Sequence, residues 1–213
     1  MKAVAVDHDR ETVEVVDHPE PEIEQENEVK LEIIEAGICG TDREIANFDY
    51  GTPPADENYL IIGHEAVGRV VETGDGVTIF EVGDLAVPMV RRPCPHDRCM
   101  ACVNDQQDFC YTGDFTERGI KERHGFMAEY VVDQQQYMVP VPKDLRSLAA
   151  LVEPLTIAEK ALIQVWNIQD RLPWACQHNP DQESGTNRGR CHSGLVLGAG
   201  PVGVLGALAL RTA

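Results

Sequence analysis

CPHDRCMACVNDQQDFC, residues 94–110, gathers four of the chain's seven cysteines into one short stretch, with four, two and seven residues between them. Such clustering admits three readings: a disulfide framework, a redox motif or a metal site. The N-terminus, MKAVAVDHDR, carries no apolar signal-peptide core, so a cytosolic, reducing compartment is expected, where thiols persist. A redox CxxC normally opens a helix in a thioredoxin-like unit, and it would leave Cys94 and Cys110 unexplained. Four soft thiolates at short spacing suit tetrahedral Zn2+, with Cys99-x-x-Cys102 as a chelating knuckle and Cys94 and Cys110 closing around it. Four protein ligands leave no open position, so this site reads as a structural clip. Any chemistry must lie elsewhere.

A second set of donors lies earlier in the chain. Cys39 sits in AGICGTD directly after an apolar strand pattern, and His64 and Glu65 sit in GHEAVG after LIIG. A thiolate, an imidazole and a carboxylate at strand ends suit an open zinc site. Taken singly, each has a plainer reading: a small core thiol, a hydrogen-bonded core histidine, a solvated acid. A glycine beside each suggests backbone turned sharply to present a side chain.

The rest of the chain bounds the function. It has 213 residues, 43% of them apolar and 25% charged, as expected of a globular protein with one or two domains. Its net charge is −18, from 36 acidic and 18 basic residues. Such a surface repels phosphate backbones and argues against nucleic-acid binding. Only five of the basic residues are Lys, against 13 Arg. Adaptation to high salt and an ordinary acidic surface both accommodate that balance.

Short apolar runs separated by Gly and Pro, from KAVAV to GFMAEYVVDQQQYMVPVP, predict a β-rich first part. DLRSLAALVEPLTIAEKALIQVW, 144–166, has helical spacing with Pro154 at a helix start or break. Residues 170–193 are polar and irregular and read as a linker. GLVLGAGPVGVLGALAL, 194–210, is apolar for 17 residues but rich in glycine. A bilayer span needs about 20 residues. It reads as a buried strand turning into a buried helix, with no membrane association.

The order ICGTD, GHEAVGRVVETG, the four-cysteine stretch and LVLGAGPVG resembles the zinc-containing medium-chain dehydrogenase/reductase family along nearly the whole chain. RRPC, FTERGIKERHGFMAEYVV and LVEPLTIAEKAL resemble its glucose 1-dehydrogenase branch most, with sorbitol, threonine and alcohol dehydrogenases as alternatives. The resemblance implies a mixed α/β chain: a β-rich GroES-like catalytic domain at 1–169, the linker, and the first strand and helix of a Rossmann domain at 194–213. It assigns Cys39 and His64 as catalytic-zinc ligands, Glu65 as a nearby or exchangeable ligand, and Glu153 as a further acidic ligand that also faces substrate. Glu153 also suits a helix-start carboxylate beside Pro154. Thr41 would begin a proton relay and touch substrate. Asp42 would orient the zinc-bound histidine, a role that could coexist with capping the helix that follows. Glu117 aligns with a sugar-contacting carboxylate, its plainer reading being a solvated loop acid. The family's usual spacing between the first two lobe cysteines is two residues and here it is four, which leaves His96, inside the widened stretch, as an alternative donor to Cys94.

Gly198-x-Gly200-x-x-Gly203 follows an apolar run and precedes a helical one, the setting in which such glycines admit a pyrophosphate over a helix N-terminus. Pro201 and Val202 lie within that turn and belong to the expected NAD(P) contacts. The residue that separates NAD from NADP is expected about 20 positions further on, past Ala213. The chain thus reads as part of a longer protein, expected to oxidise the C1 hydroxyl of an aldose to a lactone. It would use one catalytic and one structural zinc and NADP or NAD. Taken alone, it is expected to be inactive, and a non-catalytic zinc-binding fragment is the reading from a different class. At full length a dimer or tetramer is expected.

Overall fold

The computed structural model describes residues 1–169, 171 and 193–212, and they group into two compact units, 1–151 and 152–213. In the first unit, alternating apolar residues build three sheets. β1 (Lys2–Asp7) pairs with β2 (Thr12–Asp17) and β4 (Leu60–Ile61). A five-stranded antiparallel sheet runs β10 (Tyr130–Gln134), β3 (Glu28–Ala36), β5 (Ala66–Thr73), β6 (Leu85–Pro88), β11 (Met138–Val141). A third sheet joins β7 (Arg91–Arg92), β8 (Thr116–Arg118) and β9 (Glu122–Arg123).

Val29, Leu31, Val70, Phe80, Ala86 and Met138 form one core cluster on the five-stranded sheet. Val6, Ile45, Leu60, Ile62 and Ile120 form another, which seats the helix α1 (Gly40–Ala46) through Ile45, and a short helix α2 (Met100–Val103) follows Cys99. Apolar burial of this kind contributes about 25 cal/mol per Å2 and fixes where the strand ends fall. The third sheet is tied in by charge. Asp133 on β10 is buried between Arg92 on β7 (2.5 Å) and Arg118 on β8 (2.6 Å). Burial alone would push the Asp133 carboxyl up, but the two guanidinium groups win and hold it below the usual range.

In the second unit α3 (Val152–Gln169) packs with α4 (Pro201–Thr212). Helical spacing thus carries through 152–169, and the chain starts α3 two residues ahead of Pro154, where proline's missing N–H costs nothing. The strand expected before the glycine motif is not formed: residues 193–199 make no sheet pairing. The physical reason is that a strand exists only through ladder bonds to a neighbour, and the described residues of the second unit offer no other strand to pair with. The helix expected after it does form. Apart from Arg171 and Ser193, the linker expected at 170–193 lies outside the described residues. Among the described residues no helix is long and apolar enough to cross a membrane.

Candidate metal centres and nucleotide motif

β3 ends at Ala36, α1 begins at Gly40, and Cys39 caps the helix between them. β4 ends at Ile61 and β5 begins at Ala66, so His64 and Glu65 occupy the connection. Gly63 within it has φ +90°, and a Cβ there would lie 3.0 Å from the Met127 backbone nitrogen, so only glycine fits. These two turns bring one donor atom each of Cys39, His64 and Glu65 within 4.8 Å of one another. His64 is buried, whereas Cys39 and Glu65 are partly open.

Asp42 holds the arrangement together. Its Oδ2 accepts from the Cys39 backbone N–H at 2.8 Å, and its Oδ1 accepts from the Gly63 N–H at 3.1 Å. The same Oδ1 lies 3.4 Å from His64 Nδ1. A carboxylate there favours the ring proton on Nδ1 and the lone pair on Nε2. The helix is capped at Cys39, so Asp42 is not its N-cap; it stands at the third helical position and reaches back to the cap. Thr41 Oγ1 lies 3.9 Å from Cys39 Sγ.

The lobe cysteines converge separately. One sulfur each from Cys94, Cys99, Cys102 and Cys110 lies within 4.8 Å of the others, and Cys94, Cys99 and Cys102 are buried. Cys99 Sγ and Cys110 Sγ stand 3.9 Å apart, against about 3.8 Å for the edge of a tetrahedron with Zn–S bonds of ~2.3 Å. Each of these four is a free thiol. Their surroundings make them unlike. Burial pushes the Cys102 thiol up to about 12, whereas the Thr112 hydroxyl, foremost, brings Cys110 down to about 6. A divalent cation would reconcile them, because thiolate is the form it binds. His96 stands outside this group: its Nε2 pairs with Asp114 Oδ2 at 2.6 Å while its carbonyl accepts from Cys99 N–H at 2.9 Å. The widened spacing is thereby closed into a pinned loop.

Glu117 lies on β8, where Arg91 Nε (3.0 Å) and Nη2 (2.7 Å) both donate to its Oε1. It is a clamped, half-buried acid, not a solvated loop acid. Glu153 lies in the first turn of α3, in the second unit. In that unit the glycines show the division of labour the nucleotide motif requires. Gly198 has φ +109° and, like Gly200, faces open space, whereas a Cβ on Gly203 would strike the Gly198 carbonyl. The open side precedes α4, whose first turn holds Pro201 and Val202, and fits the approach of a pyrophosphate.

Reading the sequence alone passes over a third group, since its members are far apart in the chain. His18, Glu57 and His124 also place donors within 4.8 Å. Ile61 N–H donates to His124 Nδ1 at 3.1 Å, which leaves the ring proton on Nε2, directed at Glu57 Oε2 2.9 Å away. The neutral ring offers no lone pair there, so the group is a hydrogen-bonded tie, with Tyr59 hydroxyl on His18 Nδ1 at 2.8 Å.

Residues 25–143 match the family model of the alcohol dehydrogenase GroES-like domain. The chain belongs to this family. Glucose 1-dehydrogenase of Methanocella arvoryzae is 44% identical over 99% of this chain and 54% of its own length. Glucose 1-dehydrogenase 2 of Caldivirga maquilingensis is 38% identical over 100% of this chain and 56% of its own. Among solved structures, Haloferax mediterranei glucose dehydrogenase in complex with NADP, Zn and gluconolactone superposes with a TM-score of 0.74. It shares 36% identity and covers 82% of this chain and 48% of that one. The chain spans about half the length of the curated relatives it matches. The GroES-like match and these relatives place the chain in the medium-chain dehydrogenase/reductase family.

Proposed function

We propose that the whole protein containing this chain is a zinc-dependent, NAD(P)-linked oxidoreductase that oxidises the C1 hydroxyl of an aldose to its lactone. The observation that carries the proposal is the convergence of Cys39, His64 and Glu65 on one point with Asp42 behind the histidine. Soft and hard donors together, with two of them partly open, suit a catalytic zinc that keeps a position for substrate. Bound zinc supplies Lewis-acid polarisation of the sugar hydroxyl, worth several kcal/mol of transition-state charge stabilisation.

The chain's own residues do the rest. Asp42 keeps the His64 ring in the tautomer that presents Nε2. Thr41, beside Cys39, begins the proton relay: its hydroxyl accepts the leaving proton while passing its own onward to solvent. Glu117, fixed by Arg91, stands as a sugar-contacting carboxylate, and the resemblance supports Glu153 as a further ligand and substrate contact. The lobe thiols hold a second zinc that shapes 94–110 and activates nothing. Gly198, Gly200, Pro201, Val202 and Gly203 receive the pyrophosphate of NADP or NAD, which supplies the hydride acceptor. The reading extends to a cytoplasmic homo-oligomer at full length.

The test is metal analysis joined to turnover. The chain should take up two zinc ions, and Cys39→Ala should lower this to one. In the full-length protein the same substitution should abolish glucose oxidation. Uptake of one zinc by the unmodified chain, or near-normal turnover of Cys39→Ala, would overturn the proposal.

A further inference from the structure

We infer that Gly37 is a positioning residue: its bare Cα lets the Glu65 carboxylate stay within the Cys39–His64–Glu65 group, and so sets how tightly that group holds a divalent cation. The inference rests on reading that group as a metal site.

Gly37 directly follows β3, and the β3–β5 ladder reaches Ala36 opposite Ala66. Gly37 N–H adds a bond to the Glu65 carbonyl at 2.8 Å, pinning the two backbones side by side. A Cβ at position 37 would stand 2.9 Å from Glu65 Cβ and 3.2 Å from Cδ, and would collide with Oε2. The acidic side chain therefore lies folded over the glycine, in the space any other residue would fill.

Glycine's usual excuse does not apply here. Gly37 is absent from the residues with positive φ, so the backbone itself accepts alanine. Its neighbour Gly40 meets nothing within 4 Å, which shows that small residues in this turn are not uniformly confined. What position 37 contributes is the missing side chain. The three atoms nearest to that missing side chain all belong to Glu65, the one carboxylate in the group. With the carboxylate displaced, that group would keep only Cys39 and His64, one donor fewer for the cation to share.

Zn2+ and Co2+ titrations of the 213-residue chain test this, with the lobe zinc as internal reference. Gly37→Ala should weaken the second ion by about 10–100-fold, the scale on which groups supporting a metal site act. Glu65→Gly should weaken it to a similar degree, and adding Gly37→Ala to Glu65→Gly should cause no further loss. The Co2+ absorption of Gly37→Ala should match that of Glu65→Gly. If Gly37→Ala impairs folding, the double variant should recover it, because the clash is with the Glu65 side chain. Unchanged affinity in Gly37→Ala, an equal further loss in the double variant, or no recovery of folding overturns the inference. Uptake of a single zinc by the unmodified chain overturns the metal-site reading itself.

Discussion

Asp42 Oδ1 stands 3.4 Å from His64 Nδ1, and its two oxygens also take the backbone N–H groups of Gly63 and Cys39. One buried carboxylate thus fixes a helix start, a glycine turn and an imidazole tautomer. Asp42→Asn keeps the size but turns one oxygen into a donor facing a donor. Zinc affinity at the Cys39 group should fall about 10–100-fold, with the lobe zinc retained. Competition against a chelator measures this, and equal affinities would remove Asp42 from the site.

The lobe predicts a pH dependence of metal uptake. Metal must displace protons from thiols, among them Cys102, which burial holds up at about 12. Lobe zinc should be released progressively as pH is lowered, with protons taken up. Cys99→Ser should remove that ion and expose the amides of 94–114 to hydrogen exchange, leaving the sheets protected. Protection unchanged in that variant would show that the lobe stands without metal.

The Asp133 cluster predicts a stability effect independent of metal. Removing the carboxylate strands Arg92 and Arg118 in the interior, and breaking a buried pair this way costs about 3–5 kcal/mol. Asp133→Ala should show that loss in urea melts. The folded carboxyl titrates below the ordinary value of about 3.9, so the unfolded chain takes up the proton first. Its stabilisation is therefore present above about pH 3.9 and disappears as pH falls through the folded value. Parallel acid dependence in the wild type and Asp133→Ala would refute the assignment.

The acidic surface yields a further prediction. With net charge −18 and 13 Arg to five Lys, self-repulsion should be relieved by salt. Urea melts in molar KCl should show higher stability than melts without it. Equal midpoints would leave an ordinary acidic protein.

Much of the site could be read before folding was considered. Cys39, His64 and the lobe cysteines sit in short motifs whose residue types and turn glycines carry the chemistry locally. The clamp of Arg91 on Glu117 was not legible, because the two are 26 residues apart and meet only where β7 pairs with β8. The His18–Glu57–His124 tie was hidden for the same reason, and its chemistry turned on one backbone bond from Ile61. The strand expected before the glycine turn failed in the opposite direction. Its apolar pattern is a strand's, yet a strand needs a neighbour, and hydrophobic pattern does not supply one.

By itself, then, the sequence determined the β-rich class, the two donor sets and the glycine turn, because period, residue chemistry and φ preference are local properties. Only the tertiary structure decided that Cys94 joins the lobe thiols while His96 turns to Asp114, and that Asp42 bridges Cys39, Gly63 and His64. It alone placed Glu65 over Gly37. Each of these depends on which strand lies beside which, and that is set by burying the core clusters around Leu31 and Ile45 together.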